Sequence, residues 1–331
     1  MSDADARPRA ALIVNPIKAD APRLIGLLRA HSATAGWQEP RIIETTVEDP
    51  GQEATRAALD EEPAAVLVAG GDGTVRAVSE AMAGSGVPLA IVPSGTGNLL
   101  ARNLGLALDD QTAALDAALG GARQPVDIGW ATLTRPDGST EEHGFVVLAG
   151  IGLDAHMIAN TRPGLKKSVG WVAYVDGAAR SLPGAKPFRI LYAVDDERVH
   201  SVRVHSMLFA NCGALPAGIS LIPDASITDG ALDVAVIPAR GPFGWLAVWR
   251  TVWWQNSVLR RTRAGRRAIE LAGTSRSVRY LRGQDAEAAT PDPVPVELDG
   301  DEFGEAVRIR CRIDAGALLI AVPEGHVISP A

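Results

Sequence analysis

Two glycine-rich segments, each placed between a strand pattern and a helix pattern, restrict the folds open to this chain. Gly70–Thr74 directly follows the apolar run Ala64–Ala69, and Pro93–Asn98 directly follows Val87–Val92. A helical pattern begins after each loop. This repeated order of strand, loop and helix is typical of an α/β fold with a parallel sheet, in which both loops lie at the carboxyl edge of the strands.

The pattern changes along the chain and predicts two domains, the number that a chain of 331 residues favours. Up to about residue 125, strands alternate with helices; from Val126 onward, short β patterns with hairpin-type links predict a β-rich domain. The stretch 284–295 is acidic and rich in Ala and Pro, so we expect a loop there. The other predicted strands are Ala10–Val14, Arg41–Val47, Phe145–Gly150, Phe188–Val194, Ser201–Asn211, Leu232–Ile237, Ser277–Leu281, Val294–Leu298 and Val307–Ile313, and the predicted helices include Pro22–Ala35, Gln52–Leu59, Val75–Ala83 and Asp110–Leu119.

Composition and charge exclude several classes of protein. With 47% hydrophobic and 21% charged residues, the chain can bury a core, which excludes a disordered or fibrous protein. The net charge of −7 argues against general nucleic-acid binding. We find no apolar run of about 20 residues and no signal-peptide pattern, so we expect a cytoplasmic protein without a transmembrane segment.

The first glycine loop has the features of an anion site. Adjacent glycines allow close approach of a ligand, and the free N–H groups at the start of a helix attract phosphate. Asp72 would repel a phosphate unless a divalent cation lay between them, which suggests a metal–nucleotide ligand. The alternative is a glycine-rich turn in which Asp72 or Thr74 merely caps the helix.

The second loop and the end of the first strand extend this predicted site. Pro93–Asn98 lies one βα unit later, and Asn15 ends the strand Ala10–Val14. Loops at the carboxyl ends of neighbouring parallel strands form a crevice that binds ligands. The chain lacks the P-loop, protein-kinase and Rossmann motifs, so those families are excluded.

An acidic turn near the C-terminus adds two candidate carboxylates. Asp299 and Asp301 flank Gly300 directly after the strand pattern Val294–Leu298. Two carboxylates on one turn can hold a metal, or one can keep the other basic. Most Asp-Gly sequences are ordinary hairpin turns, and the same alternative applies to Asp229-Gly230.

A series of motifs in a fixed order resembles the diacylglycerol kinase catalytic family, which includes sphingosine kinases and bacterial lipid kinases. The first motif alone is shared with NAD kinases and is weak, whereas the full series covers nearly the whole chain. The segments that carry the resemblance are Gly70–Thr74, Pro93–Asn98, Ala101–Gly105, Gly150–Ala155, Lys166–Tyr174, Pro223–Val234 and Leu298–Asp301.

The resemblance implies an α/β fold made of an NAD-kinase-like nucleotide-binding domain and a β-sandwich domain. The ATP-binding domain would span residues 8–125 and the lipid-substrate domain 126–313, with 314–331 returning towards the first domain. The implied nucleotide contacts are Asn15, Thr46 (or Thr45), Gly70, Gly71, Asp72, Gly73, Thr74, Gly95, Thr96 and Asn98.

The resemblance also implies the catalytic groups and a metal. Asp301 stands where the family has a Glu that acts as general base, and Asp299 and Asp72 are the further catalytic candidates. Leu99 replaces an Asp found in many relatives, which leaves more of the work to these three carboxylates. A Mg²⁺ ion would be bound by Ser226, Asp229 and Ala231.

A stretch rich in Trp and Arg, residues 245–267, bears on the location of the substrate. Trp245, Trp249 and Trp253 recur at helical spacing, and arginines follow from Arg260 to Arg267 without an acidic residue. Tryptophan and arginine favour the surface of an anionic membrane. The alternative is a Trp stripe that packs on the sandwich.

The expected activity is that of an ATP-dependent lipid kinase. It would transfer the γ-phosphate of ATP to a hydroxyl of a lipid at a membrane surface, diacylglycerol or a related lipid. The alternatives are a NAD kinase and a catalytically silent regulator that binds nucleotide or lipid. Peripheral attachment to the inner face of the membrane and homo-oligomerisation are left open by the sequence.

Overall fold

The computed structural model describes residues 7–152, 187–195, 197–215, 219–220, 222, 225–238 and 278–328. Its first part alternates strands and helices. β1, β2, β3 and β4 form a parallel sheet in the order β4-β3-β1-β2. The elements are β1 (Ala10–Val14), α1 (Ala21–Thr34), β2 (Arg41–Glu44), α2 (Gln52–Leu59), β3 (Ala65–Gly70), α3 (Asp72–Met82), β4 (Pro88–Pro93), α4 (Leu99–Asn103) and α5 (Gln111–Gly120).

The central strands of this sheet are buried at every position. β1, β3 and β4 consist almost entirely of Ala, Val, Leu and Ile, and none of their residues is exposed. Strands of a parallel sheet have such continuous apolar sequences because apolar layers cover both faces of the sheet. β2 lies at the edge and is partly exposed. The predicted parallel α/β arrangement is therefore present.

The second part is built from antiparallel strands. The order β13-β12-β9-β7-β14-β15 continues into β4 and joins the two parts in one sheet, with β5 pairing with β15 and β6, and β8 pairing with β14 and β9. The strands are β5 (Ala122–Thr134), β6 (Thr140–Phe145), β7 (Leu148–Ile151), β8 (Phe188–Val194), β9 (His200–Ala210), β10 (Ala214–Leu215), β11 (Ile219–Ser220), β12 (Leu232–Pro238), β13 (Arg279–Gly283), β14 (Asp285–Leu298) and β15 (Asp301–Val322).

The 22-residue strand β15 belongs to both parts of the molecule. It pairs antiparallel with β14 and β5, and its Leu319 and Ile320 pair parallel with Pro88 and Leu89 of β4. At its other end, Asp301 pairs with Leu298 across the acidic turn. This one strand therefore fixes the position of that turn relative to the parallel sheet.

The expectation of a loop at 284–295 is wrong. Asp285–Ala289 form the first part of β14 and pair with β15 on one side and β8 on the other. Ala286 and Ala288 are buried between these neighbours. Pro291 and Pro293 lie where the pairing with β15 shifts register, between Ala289 and Val294, and Pro295 borders a second shift, between Pro295 and Glu297. Tertiary pairing thus overrides a composition that is typical of loops, and proline is accommodated at the irregularity.

Other boundaries also differ from the sequence-based prediction. Helix α3 begins at Asp72 instead of Val75, so the first glycine loop forms the helix start. The predicted strand Phe145–Gly150 is divided into the end of β6 and the start of β7, and β5 was not predicted. The interruption leaves the backbone N–H groups of Val146 and Val147 available to a side chain.

Gly129 in β5 should not tolerate a larger side chain. Gly129 and the fully buried Phe145 are register partners, and a Cβ on Gly129 would stand 2.1 Å from the Phe145 ring. Gly129→Ala should therefore lower the free energy of unfolding by about 1–3 kcal/mol, measured by urea denaturation.

Gly26→Ala is the matched control for this substitution. Gly26 lies within α1, and a Cβ there would have no neighbouring heavy atom within 4 Å among the described residues. Alanine in a helix should raise stability by about 0.5–1 kcal/mol. Equal effects of the two substitutions would contradict the packing argument at Gly129.

Candidate active site

The two glycine loops lie against each other at the carboxyl edge of β3 and β4. Gly70 and Pro93 are register partners at the ends of these strands. A Cβ on Gly95 would stand 3.0 Å from the Cα of Gly71, so glycine permits the close approach. No described heavy atom lies within 4 Å of the Cβ position of Gly71. The start of α3 is therefore open to a ligand on this side.

The carboxylate of Asp72 connects the first glycine loop to the second. Its Oδ1 accepts a hydrogen bond from the backbone N–H of Leu99 at 2.6 Å, and a Cβ on Gly97 would stand 2.2 Å from its Oδ2. Burial raises the pKa of Asp72 above its ordinary value of 3.8, and backbone N–H donors oppose this rise. The negative charge of Asp301 raises the pKa of Asp72 further. Asp72 thus shapes the loops and places a carboxylate between them.

Asn15 connects the end of β1 to the first glycine loop. Its Nδ2 donates to Oγ1 of Thr74 at 3.3 Å, and its Oδ1 accepts from the backbone N–H of Ile17 at 3.0 Å. Thr74 is buried, and a Cβ on Gly70 would stand 2.6 Å from the Cβ of Thr74. The structure therefore brings Asn15, Gly70 and Thr74 together, as a shared role in ligand binding requires.

The expected contacts of the second loop lie at its turn. Asn98 adopts a left-handed conformation with φ 48°. Its Oδ1 accepts from the N–H of Gly95 at 3.0 Å, and its Nδ2 donates to the carbonyl of Gly95 at 3.0 Å. Thr96 lies between them and is exposed. Asn98 therefore closes the loop, while the hydroxyl of Thr96 is presented on the surface.

Thr46 lies on the loop after the edge strand β2. Its Oγ1 accepts a hydrogen bond from the N–H of Asp49 at 3.1 Å. The carboxylate of Asp49 accepts from the N–H groups of Gly51, Glu53 and Ala54 and so caps α2. Thr46 is exposed, whereas the alternative Thr45 is buried. Of the two, only Thr46 has a surface position from which to contact a ligand.

Asp299, the first residue of the acidic turn, is buried, with 5% of its surface exposed. Its carboxylate accepts hydrogen bonds from the backbone N–H groups of Val146, Val147 and Leu148, at 2.8, 2.8 and 2.9 Å. Burial raises the pKa of Asp299 to about 6, and these three donors oppose the rise. Asp299 therefore links the acidic turn to the segment Val146–Leu148, where β6 ends and β7 begins.

Asp301 occupies a different environment two residues later. Its side chain is 49% exposed, and its Oδ2 lies 3.7 Å from Nε of Arg76. A Cβ on Gly73 would stand 2.6 Å from the same oxygen. Asp301 therefore reaches the first turn of α3, beside the glycine loops and close enough to Asp72 for their charges to interact.

Arg76 and Glu80 were not singled out from the sequence. Arg76 Nη1 lies 3.3 Å from Oε2 of Glu80, one turn later in α3, and both side chains are largely buried. Glu80 Oε2 also accepts from the N–H of Gly144 in β6, at 2.9 Å. A signal for them exists in the sequence: an arginine and a glutamate stand four residues apart in the helix that directly follows the glycine loop. Charged side chains on the buried face of a helix need such partners.

The predicted metal ligands Ser226, Asp229 and Ala231 lie on the turn that precedes β12. Asp229 contacts Arg282 in β13, and its Oδ1 accepts from the N–H of Ala231 at 3.1 Å. The Oγ of Ser226 lies 3.3 Å from Oγ1 of Thr228. In the described part of the chain, no three His, Cys, Asp or Glu side chains form a group able to hold a metal. The three residues thus lie on one turn, and the carboxylate of Asp229 is paired with a cationic side chain.

Asp127 holds this turn and was also missed by sequence analysis. It lies in β5 and is buried. Its carboxylate accepts from the N–H of Gly230 at 2.7 Å and from the N–H of Gly316 in β15 at 2.8 Å. Asp127 thus joins three segments that are far apart in the chain, namely β5, the turn before β12 and β15. The sequence pattern around Asp127 carries no signal for this role.

Several sequence predictions lie outside the described residues. They are the segment Lys166–Tyr174, residues 153–155 of Gly150–Ala155, and the stretch 245–267 with its tryptophans and arginines. The expected membrane contact of that stretch therefore stays a prediction. In the part of the chain that the structure does describe, we find no helix with the length and apolar character needed to cross a bilayer.

Comparison with known proteins identifies the family. Residues 9–131 match the model of the diacylglycerol kinase catalytic domain, and residues 145–322 match that of the YegS C-terminal NAD kinase beta sandwich-like domain. The chain belongs to the diacylglycerol kinase catalytic family. The resemblance recognised from the motifs is thus confirmed.

Relatives of this family align with most of the chain. A "Probable lipid kinase YegS-like" of Pseudomonas aeruginosa is 29% identical over 326 residues, which cover 90% of this chain and 94% of that protein. A Synechocystis protein of uncharacterised role is 25% identical over 249 residues, 74% of this chain, and the match spans about half (52%) of its length.

Solved structures show the same fold. A diacylglycerol kinase of Bacillus anthracis superposes with a TM-score of 0.63 and 18% identity, covering 97% of this chain and 99% of that one. An Archaeoglobus fulgidus NAD kinase in complex with ATP gives a TM-score of 0.50 and 13% identity, with coverage of 95% and 93%. The predicted combination of an NAD-kinase-like α/β part with a β-sandwich part is confirmed.

The buried carboxyl of Asp299 should make stability depend on pH in this family member. Its pKa is about 6 in the folded protein against an ordinary value of 3.8, so between these values the folded state holds a proton that the unfolded state lacks. The free energy of unfolding should therefore fall as the pH rises from about 4 to about 6. The decline should be up to about 3 kcal/mol, because one pKa unit corresponds to about 1.4 kcal/mol.

Asp299→Asn provides the comparison for this measurement. The amide cannot ionise, so urea unfolding of the variant at closely spaced pH values should show a clearly smaller decline, whatever its stability at pH 4; the raised pKa of Asp72 leaves a remainder in both proteins. The quantity to compare is the slope of the two curves. A decline of the same size in both proteins would assign the pH dependence to other carboxyl groups.

Proposed function

We propose that this protein is an ATP-dependent lipid kinase that transfers the γ-phosphate of ATP to a hydroxyl of diacylglycerol or a related lipid. The observation that carries the proposal is the position of Asp301 beside the first glycine loop, against which the second loop packs, at the open start of α3. Phosphate-binding loops beside an accessible carboxylate are the two elements that phosphoryl transfer to an alcohol requires. Membership of the diacylglycerol kinase catalytic family supports the lipid acceptor.

The glycine loops would bind the nucleotide phosphates. The backbone N–H groups at the start of α3 and the positive end of its helix dipole favour an anion. Gly71 leaves this backbone uncovered, while Gly95 brings the second loop against it. Asn15, Thr46 and Thr96, at the ends of β1, β2 and β4, would contact other parts of the nucleotide. The ATP bound by the Archaeoglobus NAD kinase of the same fold supports ATP as the donor.

A magnesium ion bound with the nucleotide would neutralise phosphate charge and favour the in-line transfer. Asp72 fits such a role, because its partly buried carboxylate stands between the loops that would hold the phosphates. Asp229, predicted as a ligand together with the backbone of Ser226 and Ala231, is paired with Arg282. It could serve a metal only after exchanging this partner.

Asp301 would accept the proton of the lipid hydroxyl. As that proton moves to the Asp301 carboxylate, the hydroxyl oxygen bonds to the γ-phosphorus, and the bond from phosphorus to the bridging oxygen breaks to release ADP. Asp301 is half exposed, whereas the oxygens of Asp299 are buried and occupied by three N–H donors. Accessibility therefore supports Asp301 over Asp299 as the proton acceptor.

An acceptor assay tests the proposed function directly. The purified chain is incubated with magnesium and ATP labelled at the γ-phosphate, together with diacylglycerol in detergent micelles, a sphingoid base or NAD. We expect label in the phosphorylated diacylglycerol. Label in NADP alone would establish the NAD kinase alternative, and the absence of label from every acceptor would support the silent regulator.

Asp72→Asn should lower turnover by roughly 10²-fold, because it removes the charge that attracts the metal–nucleotide complex. The amide oxygen can still accept from the N–H of Leu99, so the loops should keep their arrangement. Steady-state kinetics measure the loss, and urea unfolding checks that stability is nearly unchanged. Wild-type turnover by the variant would exclude a role for this charge.

Asp301→Asn should lower kcat by roughly 10²-fold or more while ATP affinity is nearly kept, because the amide cannot accept the proton. Asp299→Asn is the paired variant. If Asp299→Asn abolishes turnover and Asp301→Asn does not, the proton acceptor must be reassigned to Asp299. Isothermal titration with a non-hydrolysable ATP analogue measures nucleotide affinity for both.

A further inference from the structure

The guanidinium of Arg76 is buried at the contact between α3 and the start of β15. Its side chain is 6% exposed. Glu80 holds it from within α3 at 3.3 Å, and the ring of Phe303 in β15 lies under it, with 4.7 Å between Cζ and the ring centroid. A buried cation needs such partners, since the desolvation of an isolated charge is strongly unfavourable. The guanidinium is therefore held from two elements.

The Nε of Arg76 faces the carboxylate of Asp301. Nε lies 3.7 Å from Oδ2, and its N–H makes no hydrogen bond to another described residue. The same oxygen lies close to the backbone of Gly73, where a Cβ would approach it to 2.6 Å. One oxygen of Asp301 is thus bounded by the helix backbone on one side and by a fixed cation on the other.

We propose that Arg76 is a positioning residue that holds Asp301 in place and offsets the negative charge gathered at the start of α3. The inference rests on the proposed role of Asp301 as proton acceptor. Asp72 interacts electrostatically with Asp301, and nucleotide phosphates would add further negative charge. Like charges repel, so this concentration of negative charge would push the carboxylate of Asp301 away from the start of α3. A fixed cation beside Asp301 opposes this effect.

The other charged groups around Arg76 determine which variants are informative. Glu80 is largely buried and also accepts from the N–H of Gly144. Removal of Arg76 alone would leave Glu80 without its cation, a loss unrelated to Asp301. The double variant Arg76→Gln/Glu80→Gln, compared with Glu80→Gln, therefore isolates the effect of the guanidinium. His143 also contacts Phe303, with ring centroids 4.7 Å apart, and is left unchanged.

Steady-state kinetics on the lipid acceptor test the proposal. Relative to Glu80→Gln, the double variant should lose about tenfold in kcat, while the KM values for ATP and lipid change less than about twofold, because a proton-transfer group and not a binding contact is disturbed. Arg76→Lys keeps the charge and should retain a larger part of kcat. Arg56→Gln removes an arginine from an exposed pair with Glu53 in α2 and should leave kcat unchanged.

A double-mutant cycle separates positioning from a general structural role. If Arg76 acts through Asp301, the loss caused by the guanidinium removal should disappear in an Asp301→Asn background. An equal loss in both backgrounds, or an unchanged kcat in the double variant, would overturn the inference. Should the glutamine variants fail to fold in urea titrations, Arg76→Met/Glu80→Gln, which removes the cation but keeps an apolar side chain against Phe303, is measured in both backgrounds with the same criterion.

The outcome also separates this inference from the proposed function. A wild-type chain that phosphorylates lipid while its Arg76 variants behave as described supports both. If the wild-type chain phosphorylates lipid and the Arg76 variants keep its kcat, the proposed function stands and the role of Arg76 is overturned. A wild-type chain without lipid kinase activity overturns the proposed function and, with it, the role assigned to Arg76.

Discussion

The pairing of β15 with both parts of the molecule is the constraint on which the site depends. Its end at Leu319 and Ile320 hydrogen-bonds to β4, and its start at Asp301 closes the turn from β14. Backbone hydrogen bonds fix the register of a strand, and a shift by one residue would turn each side chain to the other face. The location of Asp301 beside α3 therefore follows from a ladder of hydrogen bonds along the whole strand.

Three aspartates at this site have different roles because their environments differ. Asp299 is buried and occupied by three backbone donors, Asp72 is partly buried between the loops, and Asp301 is half exposed. Burial raises the pKa of Asp299 to about 6 and raises that of Asp72 above 3.8. The same side chain thus serves as a structural acceptor, a loop contact and an accessible carboxylate.

Local patterns were sufficient for the elements whose neighbours are close in sequence. Apolar runs predicted the buried strands Ala65–Gly70 and Pro88–Pro93, and the glycine positions predicted the loops that come after them in the chain. The pattern failed at 284–295, because the pairing partners of Asp285–Ala289 lie in β8 and β15 and no local rule specifies them. It failed for β5 for the same reason, since its long ladder with β15 joins residues far apart in the chain.

The sequence by itself determined the family, the parallel α/β part and the identity of the carboxylates that could take part in chemistry. These depend on residue type and on spacing within short segments, which a single chain displays directly. Only the tertiary structure decided which carboxylate is accessible, and which residues, Arg76, Glu80 and Asp127, support the site. Burial and charge pairing are properties of segments brought together in space, and they arise only when the long-range strand pairing is complete.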